Sequence, residues 1–118
     1  MNAASRALEL DPSDAGTDAL VAGTYLRQAD YAKAKPFAIR ALKTQPDLAS
    51  AHVVLAKIYL AEHEPEKALP ELQSAAKQDS DGSTYYLLAT TLRQLGRREE
   101  AAAAMAKYKQ LHNVTEFK

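Results

Sequence analysis

An internal repeat constrains this chain of 118 residues more than any other feature of its sequence. The pentapeptide Leu8–Pro12 corresponds to Leu42–Pro46, and each ends an apolar segment with a proline, which stops a helix. A small residue followed three positions later by a larger one recurs in the pairs Ala22/Tyr25, Ala56/Tyr59 and Ala89/Leu92. Both series have a period of about 34 residues, and regular periods of about 20 to 50 residues are typical of stacked structural units, so a solenoid is expected.

The composition indicates that each unit is helical. The chain has 24 Ala and 15 Leu but only four Val and two Ile, and alanine and leucine favour helices whereas β-branched residues favour strands. Each repeat is interrupted at its middle, at residues 29–31, 63–65 and 95–97. Asp30 suits a helix N-cap, Pro65 suits a first turn, and the acids Glu99 and Glu100 suit the positive end of a helix. The sequence therefore predicts an all-α fold, an α-solenoid of antiparallel helix pairs with helices of about 13 residues.

These features resemble the tetratricopeptide repeat (TPR) family, whose signature is this period together with a small-then-aromatic pair, alanines in the second helix and a closing proline. The resemblance implies a right-handed superhelix and a fragment of a longer TPR protein. It divides the single domain 1–118 into the end of a preceding repeat (1–12), two repeats (15–48 and 49–81), and a third with a C-terminal helix extension (82–118). The chain departs from the family pattern at Asp18 and His52 in the usual tryptophan slot, at Ser80 in place of the closing proline, and at Leu92 and Tyr108.

The composition also argues against nucleic-acid binding, metal or cofactor binding and catalysis. Fifteen basic and 15 acidic residues leave no surplus for a phosphate backbone, so no nucleic acid partner is expected. There is no cysteine, the three histidines are dispersed, and no glycine-rich phosphate loop is present, so we expect no metal, no cofactor and no enzymatic activity. No apolar run is long enough to cross a bilayer, which predicts a soluble chain without membrane insertion. The sequence does not distinguish the cytoplasm from the periplasm.

The remaining candidate is a binding surface. In TPR proteins the first helices line a concave groove for a peptide, and the resemblance places this groove on fifteen positions, of which ten are taken as peptide-binding. Those ten are Leu20, Gly23, Arg27, Val53, Val54, Lys57, Tyr86, Thr90, Arg93 and Gln94, and the others are Ala19, Leu26, Leu60, Ala61 and Leu87. The family's clamp for a C-terminal carboxylate is not expected, because Ala19, Gly23, Val54, Ser83 and Leu87 occupy its slots.

The surface predicts a non-catalytic interaction module that binds a short partner segment, apolar with some acidic character, because Arg27, Lys57 and Arg93 lie on one wall. The alternative for these residues is ordinary packing between repeats and ordinary solvated charge. The alternative function is architectural: a repeat segment of a larger multidomain protein that associates weakly with itself through an open N-terminal end, where Ala4, Ala7 and Leu8 form an apolar stripe. A non-catalytic regulatory arm of a multidomain enzyme or of a secretion system is a further alternative.

Overall fold

The computed structural model describes residues 14–79 and 82–116, with side chains up to residue 112. Within these ranges six helices follow one another and no strand occurs. They are α1 (Ala15–Arg27), α2 (Tyr31–Thr44), α3 (Ala49–Ala61), α4 (Pro65–Ala76), α5 (Ser83–Gln94) and α6 (Arg98–Glu116). They pack as three successive pairs, α1 with α2, α3 with α4, and α5 with α6. The predicted N-terminal segment 1–12 and Ser80 lie outside the described residues.

Local chemistry explains where the helices begin. Asp14 caps α1 by accepting hydrogen bonds from the Thr17 N–H at 3.1 Å and the Thr17 hydroxyl at 2.7 Å, and these bonds lower the pKa of the Asp14 carboxyl. Asp30 caps α2, and Pro65 occupies the first turn of α4, as the sequence predicts. The start of α5 differs, because Asp79 lies outside the helix and accepts hydrogen bonds from the N–H groups of Gly82 and Tyr85 at 2.9 and 3.0 Å.

The core consists largely of alanine, which lets the helices approach closely. The alanines that recur at equivalent positions of the repeats are all buried: Ala22, Ala34, Ala41, Ala56, Ala68, Ala75, Ala89 and Ala101. Larger side chains fill the spaces between them, with Ile58 and Leu72 fully buried and Tyr25 and Tyr59 partly buried at the edge of the core. Neighbouring pairs are joined by contacts of α2 with α3, α4 with α5, and α1 with α3. The first helices α1 and α3 therefore lie side by side.

Polar pairs occupy the two slots in which the family favours tryptophan. The carboxylate of Asp18, which is fully buried, accepts hydrogen bonds from Nη2 and Nε of Arg40 at 2.7 and 3.0 Å. The hydrogen bond to Asp18 raises the pKa of the Arg40 guanidinium, which stays charged. In the next repeat, Nε2 of His52 donates to the carbonyl of Pro46 at 2.7 Å, and Nδ1 lies 2.7 Å from Oε1 of Glu71. Each pair bridges the two helices of its own repeat.

The turn inside each repeat has one shared conformation. Ala29, His63 and Gly96 follow the first helices at equivalent positions and have φ angles of 59°, 61° and 77°. The next residue in each turn donates its N–H back across the helix end, from Asp30 to Tyr25, Glu64 to Tyr59 and Arg97 to Leu92, at 2.9, 2.8 and 2.9 Å. This is the Schellman pattern, whose left-handed residue is usually glycine. Only the third repeat has glycine there.

Replacing Ala29 with glycine is therefore expected to raise the free energy of unfolding by roughly 0.5 kcal/mol, because the release of left-handed strain exceeds the added entropy of the unfolded chain. Urea denaturation followed by circular dichroism measures the change. Ala106→Gly, at an exposed position inside α6, is the matched control and should lower stability by about 1 kcal/mol. A loss of stability in both variants would contradict the strain at Ala29.

Candidate functional site

The candidate surface is the exposed side of the first helices α1, α3 and α5, here called the first-helix face. Two of the most exposed large apolar side chains lie on it: Leu20 on α1 is 74% exposed and Tyr86 on α5 is 49% exposed. Val53, which lies on α3, is half-buried. Each of the three first helices thus contributes an apolar side chain in its N-terminal half. Isolated exposed apolar residues are common on protein surfaces, and the charges on the same helices distinguish this face further.

The charges exposed on these helices are all positive. Arg27, Lys57 and Arg93 are exposed, and none of them forms an ion pair with another described residue. The one carboxylate on α1, α3 or α5 is that of Asp18, which is buried and bound to Arg40. The exposed carboxylates in the described chain lie in the turns and on the second helices, as with Glu62, Glu66 and Glu100. The net charge of zero therefore conceals a first-helix face without exposed acids.

The other predicted site residues differ in how far they are exposed. Gly23 is half-buried, and a Cβ built there would contact nothing within 4 Å, so the space beside this position is open. Thr90 is half-buried and its hydroxyl donates to the carbonyl of Tyr86 at 3.0 Å, while Gln94 is exposed at the end of α5. Val54 differs from the exposed position expected of a site residue. It is 8% exposed and packs with Ala22 and Ile58 in the core, because α1 and α3 contact each other. Val54 therefore contributes packing and little surface.

Two residues of α6 that the sequence analysis did not select lie beside this face. The ring of Tyr108 contacts the ring of Tyr86 edge-on, with centroids 5.2 Å apart, and Tyr108 in turn stacks on His112 at 5.3 Å. Tyr108 and His112 are four residues apart, which places them on the same side of one helix. That spacing, together with a tyrosine in a slot usually filled by alanine, is the sequence signal that identifies them. The three rings form an aromatic end to the first-helix face.

Positive charge also continues beyond α5. Arg93 shares a cleft of about 380 Å³ with Arg98, at the start of α6, and with Met105 and two alanines. Like Arg93, Arg98 has no ion-pair partner within the described ranges, whereas neighbouring Arg97 is bonded to Glu100 at 2.9 Å. Two uncompensated guanidinium groups with an apolar residue between the helices suit a carboxylate that has an apolar neighbour. Positive charge beside the first-helix face is therefore concentrated next to Arg93, in the third repeat.

Stacked helix pairs with an exposed first-helix face define an all-α helical repeat protein. Two tetratricopeptide repeat family models match the chain, one over residues 25–86 and the other over residues 82–111. The first of these covers more than half of the chain, so the chain belongs to the tetratricopeptide repeat family. Both the predicted fold class and the predicted family are confirmed.

Solved structures show the same fold. The chain superposes with a TM-score of 0.89 on YrrB, described as a TPR protein with an unusual peptide-binding site, at 20% identity over 95% of this chain and 58% of that chain. Two MamA structures, MSR-1 and AMB-1, match with a TM-score of 0.77, at 18% and 21% identity, over 95% and 93% of this chain and 65% and 66% of theirs. The chain thus spans about three-fifths to two-thirds of the length of these structures. No curated protein matched it in sequence.

Membership of this family sets the general function. TPR repeats mediate protein–protein interactions, and TPR proteins are generally non-catalytic modules that bind protein or peptide partners. Among the described side chains of residues 14–79 and 82–112, no group of three His, Asp or Glu is close enough to bind a metal ion. Among the helices described, none combines the length and the apolar character needed to span a membrane.

Proposed function

We propose that this chain binds a short protein segment that is acidic and apolar along its first-helix face, the surface that forms the concave groove in this family. The observation that carries the proposal is the charge distribution: Arg27, Lys57 and Arg93 are exposed there without any exposed carboxylate. Leu20, Val53 and Tyr86 supply apolar contacts. Positive charges steer an acidic segment to the surface and orient it, while burial of its apolar side chains provides most of the affinity.

The spacing of the helices indicates what a bound segment looks like. Packed helices lie about 8 to 10 Å apart, and α1 packs on α3, so the apolar anchors on these two helices are expected about 9 Å apart along the face. An extended polyproline-like segment advances about 9 Å in three residues. We therefore expect apolar side chains at every third residue, with acidic residues between them. A face formed by three repeats buries a short segment, so the dissociation constant is expected to be about micromolar.

Charge reversal on the face tests the proposal. Random peptides displayed on phage are selected on the purified chain, and the selected peptides are expected to be rich in Asp, Glu and aliphatic residues. In fluorescence anisotropy, the Lys57→Glu/Arg93→Glu variant should bind these peptides at least about tenfold more weakly, because two favourable charge contacts become unfavourable. Raising the salt concentration should weaken the wild-type interaction in the same direction.

Lys77→Glu/Lys109→Glu is the matched control, because it changes the net charge equally at exposed positions outside the first helices. It should retain wild-type affinity. Equal losses in the two double variants would show that total charge governs binding, which contradicts a site on the first-helix face. Selected peptides without acidic residues would contradict the predicted partner chemistry.

A further inference from the structure

A second surface lies on helix α2, away from the first-helix face. Ile39 is 39% exposed, and of the exposed large apolar residues in the described chain it is the one on a second helix. Ala32, Pro36 and Ile39 follow one another at intervals of four and three residues, so they share one side of α2. With the basic residues of α2 they line a cleft of about 680 Å³, here called the α2 cleft. None of its lining residues belongs to α1, α3 or α5, and Glu62 is the C-cap residue that follows α3.

The charges around the α2 cleft are mostly positive and differ in how far they are compensated. Lys35 is neutralised by Glu62, whose carboxylate oxygens lie 2.8 and 3.1 Å from Nζ, and this hydrogen bond raises the pKa of Lys35. Arg40 uses Nε and Nη2 to bind Asp18, which fixes the guanidinium and leaves Nη1 outside that ion pair. Lys43 has no ion-pair partner among the described residues. An uncompensated cation therefore lies beside a fixed guanidinium and an apolar floor.

The second repeat shows that this apolar floor is not required by the architecture. At the positions equivalent to Ala32, Pro36, Ile39 and Lys43, the second repeat has Glu66, Pro70, Gln73 and Lys77. The proline and the lysine recur, but the two positions that make the floor apolar are occupied by Glu66 and Gln73. Helix α4 forms and packs with those polar residues. Exposure of Ile39 at this place is therefore a property of the first repeat alone, and packing of the fold does not explain it.

We propose that the α2 cleft is a second docking site, for a protein segment that presents an aliphatic side chain next to a carboxylate. The aliphatic side chain contacts Pro36 and Ile39, and the carboxylate binds Lys43 and the free edge of Arg40. Charge complementarity selects this occupant, because the cleft combines an apolar floor with a cation that no described carboxylate neutralises. The inference goes beyond the first-helix face, since a partner engaging the α2 cleft leaves that face free for another segment.

Amide NMR of the isotope-labelled chain tests this site with a defined probe, an acetylated and amidated peptide of alternating Leu and Glu. Addition of the peptide should shift the amide signals of residues 32–43, and a Leu/Gln peptide of the same length should not. Shifts on α1, α3 and α5 report the first-helix face separately, so the two proposals fail or succeed independently. The spectrum of each variant also reports whether it is folded.

Two substitutions locate the contacts. Lys43→Glu and Ile39→Gln should each raise the dissociation constant obtained from the shifts of residues 32–43 about fivefold. The first removes the cation, and the second gives α2 the residue found in α4. Lys77→Glu, the equivalent change in the second repeat, should leave the dissociation constant unchanged. The proposal is overturned if residues 32–43 do not respond, if the Leu/Gln peptide acts equally, or if Lys43→Glu and Lys77→Glu have the same effect.

Discussion

Arg40→Leu is expected to lower the free energy of unfolding by about 3 kcal/mol, because it leaves the carboxylate of Asp18 buried without a partner. Asp18 is inaccessible to solvent, and both of its oxygens accept hydrogen bonds from the Arg40 guanidinium. Removing one member of such a pair costs far more than the pair contributes, since the remaining charge keeps its desolvation penalty. Urea denaturation measures the loss.

The matched control is Arg97→Leu, which deletes the same side chain from an ion pair with Glu100 in which both partners are about half exposed. Its cost should stay below about 1 kcal/mol, as is typical of surface pairs. Asp18→Leu introduced together with Arg40→Leu should recover most of the lost stability, because the uncompensated charge is then gone. If Arg40→Leu costs no more than Arg97→Leu, or if the second substitution gives no recovery, the ion pair of Arg40 with the buried Asp18 does not have the proposed role.

The same pair shows what the sequence predicts and what it leaves open. The repeat register identifies Asp18 and His52 as residues in a slot that favours tryptophan, and it places the alanines of the core correctly. It does not identify Arg40, which lies 22 residues from Asp18 and meets it only when the two helices of the repeat pack. Position in a motif predicts that a slot must be filled. Which distant side chain completes it depends on packing.

The candidate site has a similar limit. Leu20 and Val54 occupy equivalent slots in successive repeats, yet Leu20 is 74% exposed and Val54 is 8% exposed. The slot defines a direction on the helix but does not say whether a neighbouring helix covers that direction, and α1 covers part of α3. The exposed cations were predictable, because long charged side chains reach solvent from most positions. The aromatic end formed by Tyr86, Tyr108 and His112 depends on how α6 packs on α5.

Gly82→Ala is expected to lower the free energy of unfolding by about 3 kcal/mol, because the added Cβ strains the backbone and also approaches Tyr108 too closely. Gly82 has a φ of 89°, where a side chain adds about 1 to 2 kcal/mol of strain. A Cβ at this position would also lie 2.9 Å from the backbone oxygen and 3.0 Å from Cδ1 of Tyr108, so α5 and α6 would have to separate. Overpacking of that kind adds roughly 1 to 3 kcal/mol.

Gly96→Ala separates the two effects, because Gly96 has a similar φ of 77° but nothing lies within 4 Å of its Cβ position. Its free energy of unfolding should fall only by the strain that the new side chain introduces, about 1 to 2 kcal/mol. Gly82→Ala should further change the tyrosine fluorescence and near-ultraviolet circular dichroism, since Tyr108 contacts Tyr86, and the chain has no tryptophan to obscure the signal. Equal losses for the two glycines with unchanged tyrosine spectra would contradict the close approach of Gly82 to Tyr108. A larger loss at Gly82 with altered spectra would tie the turn before α5 to the aromatic end of the first-helix face, where an incoming segment is expected to bind.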